Sequence, residues 1–545
     1  MTTPDDHQGR TPRVPVVAKR GMVATSEPLA AQVGVETLRR GGHAVDAAIA
    51  TNAMLGLVEP MSCGLGGDLF AIVWDASTQE LLGLNGSGRA PAAMTREAFS
   101  SRGLGRVPER GPLSWTVPGC VDGWFALHER FGRLPLDELL EPAISLATDG
   151  FPVAPVISRM WTAAGDLLTR DPGASQTFLF GGRPPTTGDH VRNPELAASL
   201  RMICAEGRNA FYEGLIAERI VACARATGGL LGPGDLACHT STWVDPISVD
   251  YRGYTVWELP PNTQGVAALQ MLRLLEGFDL GRMERTSAEH LHLLIEAKKL
   301  AYEDRARYYA DPAFADVPID ALISPAYADR RRRLISSTAR QCIPVEDPRL
   351  SAGDTVYLTV VDEARNAVSF IQSIYQSFGS GVVPPETGFA MQNRGSLFHL
   401  APDHPNALEP GKRPFHTIIP AFVTRAGEPV FCFGVMGGDM QPQGHVQILV
   451  NRIDFGMDVQ AAGDAPRVRH VGSSTPTGEP MDDGGTVWLE PGFPEETIDG
   501  LRAKGHRVEI RSSGFGGYQG IWIDSKAKTL RGGSEPRKDG CAIGY

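Results

Sequence analysis

The sequence predicts an α+β fold of layered sheets with helices outside. Three observations carry this. Helical periodicity dominates the first two thirds of the chain, strands recur through the last third, and no internal repeat of fixed period is present. With 545 residues, 42% hydrophobic and 21% charged, the chain has globular composition and ample material for a core.

Charge and composition narrow the function. The net charge of −11 argues against nucleic acid or an anionic membrane as the main partner. No apolar run approaches the ~18 residues that a membrane span needs. The first ten residues, Met1 to Arg10, hold no apolar signal core. The expectation is a cytoplasmic protein whose residues 1–18 form a flexible leader. The eight cysteines form no CxxC and no Cys/His pair at metal spacing; Cys238 and His239 are merely adjacent. Scattered thiols in a reducing compartment account for them, and the sequence points to no metal.

The elements follow in order. Residues 19–25 read as a strand. Ser26 offers an N-cap, Pro28 the first turn, and Gly41-Gly42 the stop of a helix with Leu29, Val33, Val35 and Leu38 on one stripe. Residues 44–57 form a second helix, small-residued nearly all round, which suggests burial on a sheet. Glu59 to Gly67 is a glycine-rich turn. It lacks the Gly-Lys-Ser/Thr ending of a phosphate loop and precedes a strand (69–74), so phosphate binding is rejected. A strand at 81–84 and a loop at 86–91 follow. Helices are predicted at 119–130, 136–148, 194–206 and 210–227. Residues 246–259 make a hairpin turning at Arg252-Gly253, and a further helix runs to 275. Thr286 to Glu289 reads as a capping box for a helix reaching 309. Residues 336–354 have no usable period and form a long loop. Strands are predicted at 388–392, 417–424, 429–435, 487–489, 508–510 and 521–524, and helices at 444–454, 458–464 and 495–503.

The stretch 354–381 carries the chemistry. Thr355, Tyr357, Thr359 and Val361 alternate with Val356, Leu358 and Val360, which is a strand. Glu363 to Asn366 turns the chain, Val368, Phe370 and Ile374 continue into a second strand, and Gly379 and Gly381 break it. If the chain cleaves itself after Asp354, Thr355 becomes an N-terminus. It then holds both a nucleophilic hydroxyl and a free α-amine as its base. A strand-starting Thr alone says little, because Thr is common in strands.

Ordered landmarks supply the rest. They are Gly21 to Thr25, Leu38 to Ala50, Gly64 to Gly67, Pro118 to Gly123, Tyr251 to Tyr254, Gly411 to Thr417, Gly437-Gly438 and Asp454 to Asp458. From about Gly21 to Tyr545 the chain resembles the γ-glutamyltranspeptidase family of N-terminal-nucleophile hydrolases. The resemblance implies a four-layer αββα sandwich. It also implies self-cleavage of a precursor into a large piece, residues 19–354 with the leader, and a small piece, 355–545, which together make one domain. By the same resemblance Thr355 is the nucleophile and Asp354–Thr355 the cleavage site. Ser373 is the second hydroxyl beside the amine, and Gly437 and Gly438 are the oxyanion donors. No metal or organic cofactor is implied. The implied partners are a small-molecule substrate and the two pieces of the precursor; association of processed heterodimers into a homo-oligomer is left open.

Departures from the family bear on substrate. Transpeptidases continue the nucleophile as Thr-Thr-His, where this chain has Thr355-Val356-Tyr357. Tyr375 replaces their Asn, Leu397 replaces the Asp that holds a substrate ammonium, and His416-Thr417 replaces a Ser-Ser pair. Ser87 stands near their carboxylate-binding Arg, with Arg89 two places on and Arg394 elsewhere. A γ-glutamyl group needs both an anion and a cation, because burying either of its charges unpaired is costly. A cation without the anion fits an anionic, amine-free acyl group. Tyr375, Arg89, Arg394, His416 and Thr417 are therefore the candidate substrate contacts, and the pattern is similar to the oxamate amidohydrolase branch. The alternatives left open are γ-glutamyl transfer or glutathione hydrolysis, a cephalosporin-type acylase or C–C bond hydrolase, and a catalytically silent member that acts by binding.

Overall fold

The structure, a computed structural model, describes residues 12–342, 355–478 and 480–545. Two seven-stranded sheets, antiparallel throughout, organise them. The first runs Cys541–Gly544, Met22–Thr25, Val356–Val361, Ala367–Ser373, Asp68–Asp75, Glu80–Gly86 and Thr242–Val244. The second runs Val16–Ala18, Thr529–Gly533, Gly517–Asp524, Glu428–Met436, Ala421–Arg425, Tyr254–Glu258 and Ile247–Tyr251.

Period-2 alternation sorts side chains into three cores. Between the sheets, Phe70, Ile72, Tyr357 and Ile371 of the first meet Phe422, Cys432 and Ile521 of the second. On the outer face of the first sheet, Val356, Leu358, Val360 and Phe370 pack against Ala48, Ile49 and Leu55 of the helix Ala44–Val58. Every residue of that helix but Gly56 is buried, as its small side chains predict. On the outer face of the second sheet, Val256, Val423 and Phe433 pack against Leu272, Leu294 and Leu449, from helices Gly265–Leu275, Ala288–Tyr308 and Met440–Ile453. The layers are therefore helix, sheet, sheet, helix, the predicted sandwich.

Several expectations are corrected. Residues 16–18, placed in the leader, form an edge strand in which Val16 pairs with Gly532. The first helix is capped by Glu27, whose carboxylate accepts from the amides of Leu29 and Ala30; Ser26 instead donates to Glu59 at 2.6 Å. Ser287 rather than Thr286 caps the helix Ala288–Tyr308. The helix expected at 210–227 breaks at Gly214 into Asn209–Tyr212 and Leu215–Thr227. Residues 388–392 are not a strand, because their bonds go to loops: Met391 N donates to Val382 O and Gln392 N to Gly66 O. The strand expected from 417 begins at Ala421, and the helix expected from 444 begins at Met440. A smaller sheet, Val468–Val471, Thr486–Leu489 and Val508–Ile510, adds 468–471 to the strands expected at 487–489 and 508–510.

Leu358 is fully buried between the central strand and the covering helix. Leu358→Ala is expected to cost about 2–5 kcal/mol, read as a lower denaturant midpoint with an unchanged slope; an unmoved midpoint would deny this contact its place in the core.

Candidate active site at Thr355

Strand register places the site. In the antiparallel pair, Val356 faces Gln372, so Thr355 comes opposite Ser373, and Ser373 faces Asp68 on the next strand. Thr355 lies on the face directed at the second sheet and is buried. Its hydroxyl donates to Ser373 Oγ at 3.2 Å. The same oxygen accepts from the Tyr375 amide at 2.8 Å and from an Arg394 guanidinium N–H at 3.1 Å. Tyr375 holds φ at +79°, a strained value for a non-glycine residue, and this bend turns its amide back onto Ser373. Asp354 lies outside the described residues.

Arg394 opens the 3-10 turn Arg394–Leu397 and is completely buried. Besides Ser373 it donates to Thr417 Oγ1 at 2.9 Å and stacks on the Tyr375 ring at 4.4 Å. Among the described residues no carboxylate lies within ion-pair distance of it, and its Nε has no hydrogen-bond partner. Burial pulls its pKa down to about 10, against the field of Asp68.

Asp68 starts the strand Asp68–Asp75 and is fully buried. One oxygen accepts from the amides of Gly88 and Gly119 and from Gln392 Nε2, at 2.9, 3.2 and 2.9 Å. The other meets His416 Nε2 at 3.1 Å. His416 Nδ1 accepts from the Ile418 amide, which puts the ring proton on Nε2. Burial pushes the Asp68 carboxyl up to about 6, opposed by Arg394 and these donors. The His416 imidazole is held far below its ordinary value by burial and by the arginines, and is neutral.

Gly437 and Gly438 follow the strand Glu428–Met436 and precede the helix Met440–Ile453. Their φ values of +118° and +59° belong to glycine, and a Cβ on Gly437 would meet Gly516 Cα at 2.9 Å. Among the described residues neither amide N–H is taken by a hydrogen bond. Both stand just before a 14-residue helix, whose dipole favours negative charge at that end. The turn is pinned: Gln264 Nε2 donates to Gly438 O at 2.9 Å and to Thr417 O at 2.5 Å, while Arg305 donates to Gln264 and Asp439.

Two cavities flank this turn, one lined by Gly438 and the other by Gly437. A smaller one, about 420 Å³, is lined by Tyr375, Leu397, Phe415, Thr417, Gly438 and Asp439. A larger one, about 800 Å³, is lined by Thr355, Met436 and Gly437 among others. The structure thus gathers Thr355, Ser373, Tyr375, Arg394, Thr417, Gly437 and Gly438. It does not bring Arg89 to either cavity: that side chain is half-buried in the field of His239 and Arg413. His416 lines neither cavity and serves Asp68. Sequence reasoning missed Gln264, Arg305 and Gln392. No sequence signal singled them out, since Gln264 follows Asn262 and Thr263 and Arg305 stands among Glu303, Asp304 and Arg307.

One group of metal-ligating type occurs among the described residues. His292 and Glu296, one turn apart, meet His506 with ligating atoms within 4.8 Å of one another. Its members already have partners: Glu296 takes Lys299 at 2.9 Å, and His292 bonds His506 and the Ser336 carbonyl. Among the described residues no helix is long and apolar enough to cross a membrane.

Comparison with known proteins agrees with this architecture. The glutathione hydrolase-like YwrD proenzyme of Bacillus subtilis is 40% identical over 533 residues, 97% of this chain and 99% of that protein. The oxamate amidohydrolase proenzyme of Klebsiella pneumoniae is 35% identical over 540 residues, 97% of this chain and 99% of that one. The crystal structure of cephalosporin acylase from Bacillus halodurans superposes with a TM-score of 0.92 at 43% identity, covering 100% of this chain and 99% of the other. The family model described as gamma-glutamyltranspeptidase matches residues 30–545, and the chain belongs to that family.

Proposed function

We propose that this chain is a self-processing threonine hydrolase that cleaves the amide of a small, anionic, oxamate-like acyl group. The observation that carries it is Arg394. A buried guanidinium bonded only to the hydroxyls of Thr417 and Ser373, with Asp68 acting on it from beyond ion-pair distance, is costly to bury, and a bound anion would offset part of that cost. Arg394 lies behind Tyr375 and Thr417, which line the smaller cavity, and Leu397 on that cavity's wall offers a substrate ammonium nothing.

The chemistry follows from the groups in place. In processing, Thr355 Oγ1 adds to the carbonyl carbon of Asp354, the peptide C–N bond breaks, and the nitrogen becomes an amine. Water then hydrolyses the ester, restoring the hydroxyl and freeing the Asp354 carboxyl. In turnover the Thr355 amine takes the hydroxyl proton and Oγ1 attacks the substrate carbonyl. The Gly437 and Gly438 amides meet the oxyanion, one such donor being worth ~3–4 kcal/mol of barrier. The amine leaves with the proton, and water deacylates Thr355. Ser373, loaded by Arg394 and the Tyr375 amide, positions the nucleophile.

The relatives named for glutathione hydrolysis, and Asp439 on the smaller cavity, favour a second reading, γ-glutamyl transfer or glutathione hydrolysis. Asp439 is already held by Arg305 at 2.5 Å, so a substrate ammonium has to compete for it.

On denaturing gels with intact mass, wild type is expected to give two pieces split between Asp354 and Thr355, and Thr355→Ala one chain; an uncleaved wild type ends the hydrolase reading. Arg394→Met is expected to lower kcat/KM for oxamate roughly a hundredfold while processing persists; turnover of glutathione and not of oxamate or glutaryl amides would transfer the assignment to the second reading. Below about 6 Asp68 keeps its proton and can no longer accept from all its donors or balance Arg394. The kcat/KM profile is therefore expected to fall as pH drops through about 6. Asp68→Asn removes that limb, and an unchanged limb in the variant assigns it to another group.

A further inference from the structure

Gln264 stands where a helix cap belongs and does not cap. It precedes the helix Gly265–Leu275 at the N-cap position, where a short polar side chain ordinarily accepts from the first helix amides, yet its side chain makes no bond to them. It reaches sideways instead. Oε1 accepts from Arg305 Nη1 at 2.7 Å, which fixes the other end of the amide as the donor. The two Nε2 hydrogens go to two carbonyls, Thr417 O at 2.5 Å and Gly438 O at 2.9 Å. The side chain is fully buried and lines neither cavity. Both of its donors are used inside the protein, and it is no substrate contact.

What it holds is a turn with little means of holding itself. Gly437 and Gly438 both have positive φ, and glycine has no side chain to restrict rotation to that value. The carbonyls of the turn are engaged on the protein side. Met440 N donates to Gly437 O at 3.0 Å, so the trans peptide between the two glycines turns the Gly438 N–H the opposite way. Gln441 N donates to Gly438 O at 3.1 Å, and Gln264 is the second donor to that oxygen. The Tyr302 hydroxyl and Gln443 Nε2 donate to Asp439 O. Gln264 also ties the turn to the Thr417 wall of the smaller cavity. That wall is fixed independently: Arg394 donates to Thr417 Oγ1, and the His416 amide donates to Asn262 O at 2.8 Å.

We infer that Gln264 is a positioning residue for catalysis: by tying Gly438 O to Thr417 O, it keeps the Gly438 N–H aimed at the oxyanion. The inference rests on the function proposed above, in which Thr355 is the nucleophile and the glycine pair the oxyanion donors, and adds the group that keeps one donor aligned. Fixed donors stabilise developing charge because they need not reorient when it forms. A donor displaced by ~1 Å loses most of that advantage. Gln264 moves no proton and touches no reacting atom, so its effect falls on the rate constant and not on the number of competent molecules. It is itself held from behind, since Arg305 also donates to Asp439 and stacks on the Tyr302 ring at 3.9 Å.

The test uses an activated ester, p-nitrophenyl acetate, so that it does not depend on acyl specificity. On the processed protein Thr355 Oγ1 adds to the ester carbonyl and its proton goes to the Thr355 amine. The bond to p-nitrophenolate then breaks, and the acetyl group stays on Thr355. The readouts are the nitrophenolate burst and the mass of one acetyl group on the small piece. Gln264→Met keeps the volume and removes the donors; Gln264→Glu keeps the shape and the bond from Arg305 but donates nothing to the two carbonyls. Both are expected to lower the maximal acylation rate constant roughly a hundredfold, with the half-saturating ester concentration and the burst amplitude per processed molecule unchanged. Damage to folding alone gives the reverse, a smaller amplitude at an unchanged rate constant, and would overturn the inference. Gln447→Met is the control: that buried amide donates to the Gln443 and Val468 carbonyls, away from the turn, and should keep the wild-type rate constant. If the Gln264 variants stay one chain, Tyr302→Phe decides, because it removes only the hydroxyl on Asp439 O. A fall of about threefold to tenfold is then expected, since a neutral hydrogen bond is worth that much, and an unchanged rate constant overturns the inference. A processed wild type that takes no acetyl group ends the reading of Thr355 as nucleophile, and the inference falls with it.

Discussion

The site depends on the register of three neighbouring strands. Thr355, Ser373 and Asp68 form one row across the first sheet, because Val356 pairs with Gln372 and Ser373 with Asp68. A slip of one residue would send Thr355 to the helix-covered face and bring Val356 to the inner one. Hydrophobic alternation forbids that slip: Val356, Leu358 and Val360 belong to one core and Tyr357 and Val361 to another. The same pattern that folds the sheet thus fixes where the hydroxyl stands. It also explains why the row tolerates Asp68, since the carboxylate is satisfied by four donors from neighbouring loops.

This weave bears on self-cleavage. Both central strands of the proposed small piece pair with strands of the large one: Leu358 faces Thr25, and Phe370 faces Ala71. The C-terminal strand Cys541–Gly544 returns to pair with Met22–Thr25. A break before Thr355 would leave these ladders and the inter-sheet core intact. The two proposed pieces would therefore share one folding unit, and scission would change the chemistry of one nitrogen rather than the architecture.

The sheets were legible in the sequence because period 2 is a local signal, and 356–361, 429–435 and the hairpin around Arg252 all carry it clearly. What escaped was set by partners distant in sequence. Residues 388–392 look like a strand but bond to Val382 and Gly66. Residues 16–18 look like a leader yet find an edge beside 529–533. At the site, the glycine pair and the two hydroxyls were readable through family landmarks. Arg394, a candidate from the sequence, bonds the hydroxyl of Ser373 beside Thr355, and Arg89, a candidate by proximity to Ser87, lies in the field of His239 and Arg413. Sequence distance cannot rank two arginines; only the fold decides which one reaches the nucleophile.

The charges around Thr355 make one argument together. The smaller cavity carries pairs of opposite sign, Arg305 with Asp439 and Arg106 with Glu109, so its walls are near neutral, and Arg394 lies buried beneath two of its lining residues, Tyr375 and Thr417. The larger cavity has unbalanced cations along its lining. On the proposed mechanism, the attacked carbonyl between them would build up negative charge at Gly437 and Gly438. A positive field on both sides assists that charge whatever the substrate, because Coulomb attraction in a partly desolvated site is far stronger than in water. The same field taxes the enzyme when empty, since buried cations without anions are unstable. On the proposed acyl assignment, an anionic acyl group would lower that cost on binding, whereas one bearing an ammonium would add to it. On that assignment, selection among acyl groups and stabilisation of the transition state would draw on the same buried guanidinium of Arg394, and Leu397 in place of an acid would not leave the site indifferent to what it binds.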